Sequence, residues 1–247
     1  MTVVEICLDD LAGVRRAEEA GADRIELCSA LATGGLTPSI GTVAAALGLA
    51  RRIGVNVLIR QRPGDFVVDD DDELAAMVAD IRAVRALERP AGVALGFVVG
   101  ALRPDGTVDA DATRALVHAC GDASVTFHKA FDQTPDRAAA LEELIALGIG
   151  RVLTSGGAAT ALDGAAELAD LVAQAGDRIA VLAGGGVRPA NVADLVRRSG
   201  VREVHLRAVE QAPSASLVLS AYDSGHREVT SSATVAAVVD AVRGVAA

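Results

Sequence analysis

Eight short apolar runs recur along this 247-residue chain, each followed by enough sequence for one helix. They cover residues 3–7, 24–28, 55–60, 93–97, 125–128, 152–155, 179–184 and 204–207. Successive runs start 21 to 38 residues apart, room for a helical crossover between parallel strands. The stretches between them carry helical periodicity, at about 11–20, 39–52, 69–87, 110–119, up to 147, 162–175 and 189–198, with a last helix at about 231–245. The acidic run 69–73 reads as a helix start, because negative charge suits the N-terminal end of the dipole. Eight βα units with no linker or composition break predict an α/β fold, a (β/α)8 TIM barrel forming a single domain over residues 1–247. A doubly wound open sheet is the competing architecture. It places a glycine-rich fingerprint after its first strand, and Cys7-Leu-Asp-Asp-Leu-Ala-Gly13 carries none. Residues 211–229 break the rhythm and read as an irregular, Ser-containing excursion, which is the candidate subunit contact.

Strand alternation sorts side chains onto two faces. With the aliphatics outward under the helices, Glu5, Cys7, Glu26, Cys28, Asn56, Arg60, Thr126, His128, His205 and Arg207 fall on the inward face. So many charged and polar groups are buried only if they pair or serve a site. A closed barrel would gather them at the C-terminal ends of the strands, where such barrels carry their sites.

Composition narrows the partners. The net charge is −10, which argues against recruitment by nucleic acid, whose phosphates need a basic face. No stretch reaches the roughly 20 apolar residues of a membrane span, and the chain runs from Met1 straight into a strand with no leader pattern. Three cysteines form no CxxC motif and are odd in number. This usage fits a cytoplasmic protein without a disulfide framework.

Four constellations carry chemistry. Thr154-Ser-Gly-Gly157 and Ala183-Gly-Gly-Gly-Val187 lie after the sixth and seventh strands, where backbone amides cradle phosphates in these barrels. Ser155, Gly156, Gly184, Gly185 and Gly186, with Arg207 at the end of the eighth strand, are therefore candidate anion-binding residues; tight turns alone are the other explanation of the glycines. Arg60 and Arg62, two apart, either clamp a carboxylate or phosphate or neutralise Glu5, Glu26 and Asp65. Glu26, His128 and His205 are acid/base candidates. Lys129 has the opposite phase and is expected at a helix interface. Cys7 and Cys28, inward on neighbouring strands, either hold a soft ion such as Cu(I) or pack as small hydrophobes.

The segments Arg24-Ile-Glu-Leu-Cys-Ser-Ala-Leu-Ala-Thr-Gly-Gly-Leu-Thr-Pro-Ser39, Ile59-Arg-Gln-Arg-Pro-Gly-Asp-Phe66, Gly96-Phe-Val-Val-Gly-Ala-Leu-Arg-Pro-Asp-Gly106, Thr126-Phe-His-Lys-Ala-Phe-Asp132, Arg151-Val-Leu-Thr-Ser-Gly-Gly157 and Ala183-Gly-Gly-Gly-Val187 closely resemble the CutC family, named for copper homeostasis. The resemblance implies a TIM barrel, a cytoplasmic homodimer or higher homo-oligomer, and copper(I) held by Cys7 and Cys28. It departs from the family pattern at Arg60-Gln-Arg-Pro-Gly64, at Lys129 and at Arg207. The residues themselves also allow an isomerase- or lyase-like enzyme acting on a small phosphorylated or carboxylated metabolite, or a non-catalytic scaffold.

Overall fold

The computed structural model describes residues 2–68, 70–216, 218 and 225–245. Eight parallel strands close into a barrel in sequence order: β1 (Val3–Leu8), β2 (Arg24–Leu27), β3 (Gly54–Leu58), β4 (Leu95–Val99), β5 (Ser124–Phe127), β6 (Arg151–Thr154), β7 (Ala180–Gly184) and β8 (Glu203–Leu206), with β8 pairing back onto β1. The helices α1 (Leu11–Glu19), α2 (Ile40–Leu49), α3 (Asp71–Arg85), α4 (Ala110–Cys120), α5 (Arg137–Ala146), α6 (Ala165–Ala175), α7 (Val192–Ser199) and α8 (Ser232–Arg243) follow the strands in turn. The expected (β/α)8 barrel is the observed one. The acidic start of α3 is present as well: Asp70 caps it by accepting from Glu73 N, with Asp71 and Asp72 in the first turn; Asp69 lies outside the described residues.

The core lies between the strands and the helix ring. Val4, Ile6, Ile25, Leu27, Val55, Val57, Phe97, Val125, Phe127, Val152, Val204 and Leu206 belong to one buried cluster with the apolar faces of the helices. Nearly all are aliphatic, as a chain with four Phe and no Trp requires. The opposite parity of the same strands therefore points down the barrel axis.

The excursion contains a regular element. Val209–Pro213 (β9) pairs antiparallel with His226–Thr230 (β10), Thr230 facing Val209. The part of the excursion at 217 and 219–224 lies outside the described residues. Most of the hairpin is exposed, so its strands lack the buried alternation that marks β1 to β8. Asp10 ties it to the barrel: its carboxylate caps α1 at Gly13 N (2.7 Å) and accepts from Thr230 N (3.0 Å) and Thr230 Oγ1 (2.6 Å).

Candidate functional site

The inward residues occupy two levels. At the base, Glu5 is fully buried and accepts hydrogen bonds from Arg24 Nε and from Asn56 Nδ2 (3.1 Å). Arg24 continues to Glu203 (2.7 Å), and Arg151 binds Glu203 (2.5 Å) and Thr126 Oγ1 (3.2 Å). These groups close the N-terminal end of the barrel with compensated charge. Glu5, Asn56 and Thr126 thus sit below the mouth, in a structural network. The inward parity of Arg24 and Glu203, each two residues before an inward position, was the signal for their part in it; Arg151 has the same relation to Leu153, which reaches a cavity at the mouth.

His205 joins the two levels. Its Nδ1 lies 2.8 Å from Glu5 Oε1 and 3.7 Å from Glu26 Oε2. Burial opposes a charged ring, but hydrogen bonds to Cys7 and Glu5 and the charge of Glu26 raise its proton affinity well above that of a free histidine. Glu5 is pushed up by burial, yet the bond from His205 and the Arg24 charge hold it at about 2. Glu5 is therefore a carboxylate, and the proton between them belongs to His205.

Above this level, Cys7 at the end of β1 and Cys28 just after β2 bring their sulfurs to 3.8 Å. Both are buried, in a small apolar cluster with Leu31, Leu58 and Val98. The hydrogen bond from Cys28 lowers the Cys7 thiol to about 6, against its burial, and the same bond raises Cys28. Glu26 Oε1 stands 3.4 Å from Cys28 Sγ. Burial, then the negative charge of Cys7, pushes Glu26 up to about 8. One donor atom each from Cys7, Glu26 and Cys28 lies within 4.8 Å of the others, as do those of Glu5, Glu26 and His205.

A cavity of about 130 Å³ opens over the Cys7 thiol. Cys7, Glu26 and His205 come to it from three neighbouring strands; Arg60, Phe66, His128 and Lys129 complete its polar and aromatic lining. Arg60 donates to Gly35 O (3.1 Å) and Gly64 O (2.8 Å), and its guanidinium lies 4.8 Å from the centre of the Phe66 ring. The His128 ring is also 4.8 Å from Phe66. Ala130 N donates to His128 Nδ1 (3.2 Å), which leaves the ring proton on Nε2. Burial, then the Arg60 charge, lowers His128 to about 3, so the ring is neutral. Glu26 Oε2, Arg60 Nε and His128 Nε2 are buried there without a hydrogen-bond partner.

The sequence-predicted residues thus divide. Cys7, Glu26, His205, His128 and Arg60 meet at this cavity, and Cys28 stays outside its lining with its sulfur against that of Cys7. Arg62 and Arg207 do not line it. Arg62 follows the end of β3, where strand alternation has ceased, and turns to Asp65 (3.0 Å), Val67 O (2.7 Å) and Glu73 (3.5 Å). Arg207 lies just past β8 and binds Glu228 of β10 at 2.5 Å. Lys129 is the reverse case. A short 3₁₀ turn, Lys129–Gln133, begins directly after His128 and swings Lys129 to the mouth, not to a helix interface. Phe66 was missed because nothing in strand periodicity reports on a loop.

The loop at Ser155 and Gly156 corrects the expected anion cradle. Its donors already bind a carboxylate of the chain itself. Asp132 accepts from Thr154 Oγ1 (2.5 Å), Ser155 N (3.1 Å) and Gly157 N (3.1 Å), with Ser155 Oγ at 2.9 Å and Lys129 Nζ at 3.1 Å. The second loop, Gly184, Gly185 and Gly186, packs nearby: Ala161 N donates to Gly185 O, and a Cβ at Gly185 would stand 3.1 Å from Lys129 Nζ.

A closed (β/α)8 barrel with an enclosed thiol, carboxylate and imidazole cluster at its C-terminal mouth defines the class. The model of the CutC family matches residues 2–210, and the chain belongs to that family. A CutC family protein from Mesorhizobium japonicum is 46% identical over 87% of this chain and 80% of its own length. One from Photobacterium profundum is 39% identical over 98% of this chain and its whole length. The crystal structure of CutC from Streptococcus agalactiae, a protein named for copper homeostasis, superposes with a TM-score of 0.77 at 34% identity, covering 83% of this chain and 98% of that one. Phosphoribosylanthranilate isomerase from Thermotoga maritima, 12% identical with a TM-score of 0.55, shares the fold. Among the described residues no helix is long and apolar enough to cross a membrane.

Proposed function

We propose that this CutC family protein acts in copper homeostasis by binding Cu(I) through Cys7 and Cys28. The observation that carries this reading is the buried sulfur pair at 3.8 Å. With metal–thiolate bonds of about 2.3 Å, the length typical of zinc, two sulfurs on one tetrahedral ion stand about 3.8 Å apart. Soft thiolates select Cu(I) over hard cations, and an already lowered Cys7 proton affinity reduces the cost of deprotonation on binding. The Glu26 carboxyl, which has an oxygen within reach of both sulfurs, is a further ligand for the same ion once it has lost its proton. Anaerobic Cu(I) titration against a chromophoric competitor tests it. The wild type takes up one ion per chain, and the Cys7→Ser/Cys28→Ser double variant takes up none; equal uptake by both overturns the reading.

Three free cysteines suit a reducing compartment, which supports a cytoplasmic location that cell fractionation checks. Homo-oligomerisation, implied by the family resemblance, is checked by sedimentation.

A second reading is favoured by a separate observation, three buried polar atoms without a hydrogen-bond partner around one cavity at the barrel mouth. They fit an enzyme of isomerase or lyase type acting on a small anionic metabolite, with Glu26 and His205 near the reacting centre. Turnover of such a compound by metal-free protein tests it, and its absence across small anionic substrates overturns it.

A further inference from the structure

We propose that Arg60 and His128 form a subsite for a small monocarboxylate bearing a carbonyl oxygen beside its carboxylate, a short 2-oxo acid. This deepens the second reading above and rests on it for any turnover, but not for binding.

Three features of the site define the ligand. The first is donor type. His128 is 5% exposed, its Nδ1 is occupied by Ala130 N–H, and the remaining Nε2–H is buried without an acceptor. A neutral imidazole presented this way donates to a carbonyl oxygen. Arg60 is 9% exposed, and its Nε–H is likewise buried without an acceptor. Two unfilled donors in one cavity call for a ligand with two acceptor groups, because buried polar groups left unmade are costly.

The second feature is charge. Lys129 is matched by Asp132 at 3.1 Å. His205 is matched by Glu5. The Arg60 guanidinium rests on two backbone carbonyls and the Phe66 ring, none of which carries a formal charge. Asp65 acts on Arg60 through its charge but makes no ion pair with it, and a cation without a contacting carboxylate suits a monoanion. A phosphate dianion would bring surplus negative charge beside Cys7 and Glu26.

The third feature is size. A space of about 130 Å³ lies well below the roughly 300–1,000 Å³ of drug-sized pockets, so the ligand has only a few carbons. The donors are also fixed in place. Phe66 packs against both the guanidinium and the imidazole. A Cβ at Gly100 would overlap the His128 ring, so glycine is what lets the ring lie there.

Pyruvate is the probe, read by saturation-transfer NMR and calorimetry on metal-free full-length protein. The wild type binds it saturably. Arg60→Met and, independently, Gly100→Ala weaken binding about ten- to hundredfold, while His128→Gln, which keeps an N–H donor, loses less than His128→Phe. Inorganic phosphate does not displace pyruvate. Circular dichroism and thermal melts confirm that each variant is folded; should Gly100→Ala not fold, Arg60→Met and the His128 pair decide. No saturable binding to the wild type, or equal binding by Arg60→Met and His128→Phe, overturns the subsite. Competition by phosphate overturns the monoanion assignment. Binding lost in Arg60→Met but without turnover of any 2-oxo acid leaves the subsite standing and counts against the enzyme reading alone.

Discussion

His128 shows how much one residue's surroundings decide. Parity put it inside the barrel, and that much was legible. Its protonation state was not, because it depends on Ala130 N–H reaching Nδ1 and on burial beside Arg60. Both come from the turn after β5, which has no period to read. The consequence is a pH signature. The folded ring titrates at about 3 and the free one at 6.5, so between those values the unfolded chain binds the extra proton and stability falls as pH falls. The full contribution is present above pH 6.5. Glu5 adds its own loss only below its ordinary value of 4.5. Chemical denaturation of wild type and His128→Gln between pH 6.5 and 4.5 should show the wild type losing up to about 2 kcal/mol more than the variant. Equal slopes would show that the ring is not held neutral.

Among the elements, the strands were legible and the loops were not. β4 begins at Leu95, where the sequence suggested 93, but a shift of two preserves which face each side chain takes. The inward set therefore survived imprecise boundaries. The hairpin of β9 and β10 gave no signal because solvent covers most of it and little alternation was needed. The loops after β5 and β6 carry the largest surprise. Glycine and hydroxyl residues after β6 advertise an anion cradle, and a cradle exists, but Asp132 from the preceding loop fills it. Sequence spacing cannot show that the anion is tethered 22 residues away. Asp132→Ala should cost about 2–4 kcal/mol, since it strands several amides and hydroxyls and unpairs Lys129. Urea unfolding measures it, and a change within error would mean that water replaces the carboxylate at no loss.

On the scale of the whole molecule, an acidic protein keeps two of its enclosed cations, Arg24 and Arg151, at the N-terminal end of its own axis. Arg24 bridges Glu5 and Glu203, and Arg151 binds Glu203, with side chains at most 14% exposed. Alternation revealed which residues face the axis; their height along it follows from the stagger of the strands, which only closure of the barrel sets. Glu203→Gln leaves two guanidiniums short of a counter-charge and should destabilise the barrel by about 3–5 kcal/mol in denaturant titration. Adding Arg151→Met to that variant should recover part of the loss, because a buried charge removed together with its partner costs less than one abandoned.

That ionic floor turns the interior into a blind alley. Whatever enters must leave by the same door, and the Cys7 sulfur shares one chamber with Arg60 and His128. A guest seated on those two side chains would compete for room with an ion on the sulfur, so arrival order would govern what the chamber holds.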